Sequence, residues 1–74
     1  MPKGHIKRIV ANKGFGFIQA SGEEYFFHKS ALNMDWNELV DDYESRDTND
    51  RIKVSFVVGN SAKGPRAEDV RVIE

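Results

Sequence analysis

Cysteine is absent from these 74 residues, so disulfides, thiolate metal sites and cysteine nucleophiles are all excluded. Histidine is scarce, and His5 and His28 stand far apart, too few for a zinc site. No apolar run approaches the roughly 20 residues that span a bilayer. The opening MPKGHIK lacks the apolar stretch of an export signal, which leads to the expectation of a cytoplasmic protein with no membrane partner. No nucleophile lies near a recognisable base. Neither Asp41-Asp42 with Glu44 nor Asp47 through Asp50 has the spacing and glycine of a calcium loop. A chain this short has little room for a shielded cleft. One domain covering residues 1–74, with no catalysis, metal or cofactor, is the expectation.

What is present is unevenly distributed. The net charge is only −1, but residues 35–50, DWNELVDDYESRDTND, hold seven acids against the single base Arg46, a local charge of −6. The remainder holds ten bases and five acids, a charge of +5. Screening limits the reach of a charge to about 10 Å at ordinary salt, so local balance matters more than the sum.

The chain reads as mostly β. Residues 4–10, 15–20, 24–29, 51–58 and 67–73 are short runs rich in β-branched and aromatic residues. Turn residues separate them at Asn12-Lys13-Gly14, at Ser21-Gly22 and through Gly59 to Pro65. The fourth run alternates, with Ile52, Val54, Phe56 and Val58 on one face; the fifth sets Val70 and Val72 against Arg71. The connection from about residue 33 to 50 is irregular, an extended acidic loop in which WNELVDDYE could form one or two helical turns with Trp36, Leu39 and Tyr43 near one side. Five short strands without a sizeable helix fit a closed barrel, which leaves no exposed edges.

The aromatic residues concentrate in KGFGFIQASGEEYFFHK, residues 13–29. A two-residue turn at Ser21-Gly22 would pair Ala20 with Glu23, and so set Phe17 opposite Phe26 and Phe15 opposite His28 on one face. The other face would pair Gly16 with Phe27 and Ile18 with Tyr25, small against large, as a tight interior requires. Strand two alone would favour burying Phe15 and Phe17. Strand three argues the reverse, because burying Phe26 would carry His28 inward without a partner. The Phe15, Phe17, Phe26 and His28 face is therefore expected to look outward, as exposed apolar clusters at binding surfaces do.

Flat rings among cations suit unpaired nucleobases, each stack contributing about 1–3 kcal/mol. Lys7, Arg8, Lys13 and Lys29 would line the path for phosphates, joined by Lys63 and Arg66 beyond the last hairpin. Closing the first hairpin on Asn12-Lys13 brings Arg8 beside Phe17, where a guanidinium can also stack. KGFGFI at 13–18, FFHKSAL at 26–32 and VSFVVGNSAKGPRAEDV at 54–70 resemble, in this order and over nearly the whole chain, a cold-shock domain. The resemblance implies a five-stranded antiparallel barrel of the oligonucleotide-binding (OB-fold) kind. It also implies monomeric binding of single-stranded RNA or DNA, pyrimidine-rich sequences favoured, and a role as an RNA chaperone or regulator.

Lys7, Lys13, Phe15, Phe17, Phe26 and His28 stand where the family has its binding residues. The chain departs from the family at Arg8, Ile9 and Val10, where Trp, Phe and Asn are usual, and at Lys29, where an aromatic usually follows the histidine. Tyr25 and Phe27 replace core valines. Trp36 is the candidate for the family's loop aromatic, Tyr43 a weaker one. Fewer stacks and more cations imply weaker binding with a steeper salt dependence. An RNA-recognition motif would need two helices that this sequence lacks. The alternative reading is a protein-interaction barrel that has lost most nucleic-acid affinity, with the acidic insert recruiting a basic partner or masking the face.

Overall fold

A two-residue turn governs the register of the central hairpin. Ser21 and Gly22 both adopt left-handed backbone, with φ of 52° and 78°, the geometry that joins two right-twisted strands without splaying them. The computed structural model describes residues 2–47, 51–62 and 64–73. In it β2 (Phe15–Ala20) and β3 (Glu23–His28) pair as the turn dictates, Phe15 with His28, Gly16 with Phe27, Phe17 with Phe26 and Ile18 with Tyr25. β1 (Lys3–Val10) pairs Arg8 with Phe17, Ile9 with Gly16 and Val10 with Phe15; Lys7 is the extra residue of a bulge, beyond which Ile6 meets Ile18. With β4 (Lys53–Ser61) and β5 (Gly64–Val72), these strands close a barrel in the order β1-β2-β3-β5-β4. The expected all-β, five-stranded barrel is thus present. Its pairs are antiparallel except at the closing seam, where β3 and β5 run parallel with Phe26 opposite Arg66.

The interior follows from these registers. Ile18, Phe27, Val54, Phe56 and Val70 are fully buried, with Ile6 and Ile52 nearly so. Gly16 lies inward beneath Phe27: a methyl group there would sit 2.8 Å from both the Arg8 carbonyl oxygen and the Phe27 ring. No residue but glycine fits that contact without displacement. The Tyr25 ring packs 5.1 Å from Phe56, while its hydroxyl reaches the rim and donates to Glu23 at 2.9 Å. That hydrogen bond, then burial, raises the tyrosine pKa above its ordinary value.

Three expectations need correction. The helix expected within WNELVDDYE is present, but as the ten-residue α1 (Trp36–Ser45), longer than one or two turns. Leu39 is fully buried, and Trp36 and Tyr43 pack against the core, so tertiary burial extends the helix beyond what its Asp-rich sequence favours alone. Val58 does not continue the buried face of β4. Ser55 pairs with Arg71 and Val57 with Glu68, leaving Asp69 and Val70 together opposite Phe56. Asp69 accommodates the added residue with φ of 49°. Beyond this bulge of β5 the pairing is shifted by one residue, and Val57 and Val58 are 43% and 44% exposed. Finally, β4 runs to Ser61 and β5 starts at Gly64. The segment from Gly59 to Pro65, expected as a turn, is largely a paired arm.

Candidate nucleic-acid interface

The outward face of β2 and β3 gathers three phenyl rings. Phe15 and Phe17 meet edge to face at 5.8 Å, Phe15 and Phe26 lie 5.3 Å apart, and Phe17 and Phe26 are 6.0 Å apart. Phe26 is 37% exposed, and Phe15 and Phe17 are half-buried, shielding one another rather than entering the core. His28 is also half-buried beside Phe15. Its Nδ1 accepts a hydrogen bond from the Ser30 backbone N–H at 3.1 Å and lies 2.9 Å from the Ser30 hydroxyl. A backbone N–H can only donate, so the neutral ring carries its proton on Nε2. Ser30 is a residue that sequence reasoning missed; the spacing His-x-Ser, with a hydroxyl two residues on, was the available signal.

The cations divide into those that flank the rings and those engaged elsewhere. Arg8 is exposed and directly opposite Phe17. Lys13 is exposed in the single 3₁₀ turn (Ala11–Lys13) between β1 and β2. Lys29 is exposed in a second such turn after β3, and its stem lies across Gly14, where an added methyl would meet its Cδ at 3.0 Å. Gly14 adopts φ of 73°, a left-handed backbone that calls for glycine. Lys7 donates to Glu24 at 2.8 Å in an exposed ion pair. Arg66 stands opposite Phe26 across the closing seam, half-buried, and its Nε is buried with no hydrogen-bond partner among the described residues.

Trp36 is set apart from this group. Its ring meets Phe27 at 6.2 Å, on the interior side of β3, and packs against the core with Tyr43. An aromatic in the long connection pointed to a binding loop, but the helix turns it inward. Lys63, also a candidate, lies outside the described residues. No cluster of His, Asp and Glu able to hold a metal ion occurs among the described residues.

Residues 2–73 match the family described as the "'Cold-shock' DNA-binding domain". The chain belongs to the cold-shock domain family. It is 37% identical over 71 residues to cold shock protein CspA of Staphylococcus haemolyticus, covering 95% of this chain and 96% of that protein. It is 36% identical over 72 residues to cold shock protein CspC of Bacillus subtilis, covering 96% and 97%. CspA of Staphylococcus aureus strain USA300 shows 37% identity over 71 residues. Within this cold-shock barrel the unusual residues fall in consistent places. Arg8 occupies an outward position beside a ring, Ile9 packs against the core opposite Gly16, and Lys29 begins the turn after His28. Among the described residues no helix is long and apolar enough to cross a membrane.

Proposed function

We propose that this chain binds single-stranded nucleic acid across the outward face of β1, β2 and β3. Phe15, Phe17 and Phe26 stack bases, His28 offers an Nε2 hydrogen bond, and Arg8, Lys13, Lys29 and Arg66 meet phosphates. Lys7 contributes only when its pairing with Glu24 is exchanged for a phosphate. The observation that carries the reading is the mutual contact of three phenyl rings outside the core, each within about 6 Å of the next, with cations on both sides. Such a cluster loses water contact when a base covers it, and every base has a face to offer, so recognition is tolerant of sequence. Arg66, opposite Phe26 across the closing seam, adds a cation at the edge of the rings.

The chain acts as a monomer in the cytoplasm, favours pyrimidine-rich strands, and serves as an RNA chaperone or regulator by trapping unpaired segments. With a cation at Arg8 and another at Lys29 in place of rings, affinity is weaker and more dependent on salt than is typical of the family. Amide shift mapping with a short oligo-thymidine or oligo-uridine tests the assignment. The expected result is perturbation at Phe15, Phe17, Phe26 and His28, together with a titration that weakens steeply with salt. Shifts confined to other surfaces, or submicromolar affinity that ignores salt, would overturn it.

A further inference from the structure

We propose that the outer seam between β1 and β4 forms a second phosphate-binding patch, onto which a single strand lying on the aromatic face continues around the barrel. The inference rests on the nucleic-acid reading above and extends it to a surface that neither the rings nor their flanking cations include.

The patch is assembled by strand pairing. On β1, His5 stands opposite Gln19 of β2 on one side and Lys53 of β4 on the other, and Lys3 stands opposite Ser55. Arg51, just before β4, brings its Nη1 to 3.0 Å from His5 Nε2. A guanidinium can only donate, so His5 Nε2 accepts and the ring here is neutral. Lys3, His5, Arg51 and Lys53 surround a cleft of about 350 Å³ together with Gly4 and Ile73. No acid lines it. The ion pairs described elsewhere are Lys7 with Glu24, Arg46 with Asp42 and Arg71 with Asp69, and among the described residues Lys3, Arg51 and Lys53 have no carboxylate partner.

Two features distinguish this from a scatter of solvated lysines. Lys3 and Lys53 are diagonal neighbours across the β1–β4 pair, with Arg51 held beside the neutral His5 between them; like charges this close repel one another, and no carboxylate among the described residues relieves them. An anion would relieve it. Ile73 is 42% exposed beside these cations, giving an apolar floor among positive groups. A free phosphate would gain nothing from that floor, whereas a sugar or base edge could rest on it while neighbouring phosphates meet the cations. The occupant that fits is therefore a phosphodiester chain.

The route is continuous. Arg8 stands beside Phe17, and β1 leads back from it to His5 and Lys3 on the outside of the barrel. Five residues of strand span about 17 Å, within reach of a strand longer than the platform needs.

The test uses oligo-thymidines of about 6 and about 12 nucleotides, titrated against the wild-type chain and a Lys3→Gln/Lys53→Gln variant at two salt concentrations. The wild-type chain is expected to bind the longer strand more tightly, with the slope of log affinity against log salt steeper by about 0.7 for each added phosphate contact. The variant should keep its affinity for the short strand within about twofold and lose the added slope on the long one, about 1.4 for two contacts. Amide shifts at Lys3, His5, Lys53 and Ile73 should appear only with the long strand. An unchanged slope in the variant, or equal loss on both lengths, overturns the proposal. Should the variant fold poorly, Arg51→Gln alone reads the same slope. Binding of the short strand with no gain on lengthening overturns the patch and leaves the platform standing. Absence of binding at either length removes the platform and the patch together.

Discussion

Phe15 and Phe26, side by side on adjacent strands, hold their ring centroids 5.3 Å apart with planes 39° from parallel. They are diagonal neighbours across the hairpin, since Phe15 is directly opposite His28 and Phe26 directly opposite Phe17. Their tilt leaves part of each ring face open. Phe26 is the more accessible and packs against Phe15 and Phe17 rather than the core. We therefore expect Phe26→Ala to weaken oligo-thymidine binding by about fivefold to 150-fold, the equivalent of one stack. Its effect on folding should stay below about 1 kcal/mol. Fluorescence titration beside urea unfolding measures both; unchanged affinity would refute the stacking role.

The opposite face of the same hairpin gives the reverse expectation. A methyl at Gly16 would stand 2.8 Å from the Arg8 carbonyl and the Phe27 ring, and neither backbone nor a fully buried ring can yield easily. Gly16→Ala should destabilise by about 1–3 kcal/mol through overpacking, seen as a lower urea midpoint. A wild-type midpoint would show that the ring has room to move.

Leu39 connects the acidic helix to the barrel. It is fully buried in the same cluster as Phe27 and Ile52. Leu39→Ala should cost about 2–5 kcal/mol, whereas neutralising the exposed Glu38 and Asp41 should change stability by less than about 0.5 kcal/mol. Calorimetric unfolding of the two variants separates a structural helix from a dispensable acidic loop, and equal effects would contradict this account.

His5 predicts a pH dependence of folding. Burial, and then the charge of Arg51, lower its pKa from the ordinary 6.5. Between that lowered value and 6.5 the unfolded chain binds a proton that the folded chain does not. Stability therefore rises with pH across the window and is lost as pH falls through it. Urea unfolding of wild type and His5→Gln across this range should show a smaller acid loss in the variant. Parallel curves would mean that the imidazole titrates alike in both states.

Much of this was legible in the residues, for physical reasons that can be named. Ser21-Gly22 admits one economical turn, so the pairing of Phe17 with Phe26 and Gly16 with Phe27 follows from it, and Arg8 beside Phe17 follows from Asn12-Lys13 in the same way. What the residues concealed was decided by tertiary contact. The length of the helix depends on a pocket for Leu39 that forms only when the barrel closes. The inward turn of Trp36 depends on Phe27 being there to receive it. The exposure of Val58 depends on a bulge at Asp69, a residue whose left-handed backbone is favoured by aspartate but not announced by it. The pairing of Lys7 with Glu24 spans 17 positions and needs the Lys7 bulge as well as the hairpin.

The parallel seam between β3 and β5 has a consequence for how this barrel is closed. Between the two strands Phe26 stands opposite Arg66, and farther along Leu32 bridges Val70, whose carbonyl accepts from the Asn33 N–H at 2.7 Å, whereas β4 and β5 are registered from Val54 opposite Val72 to Ser61 opposite Gly64. The wall is thus thinnest where a ring and a guanidinium meet. A polymer laid over both would act as a clasp across a join that few strand pairs fasten.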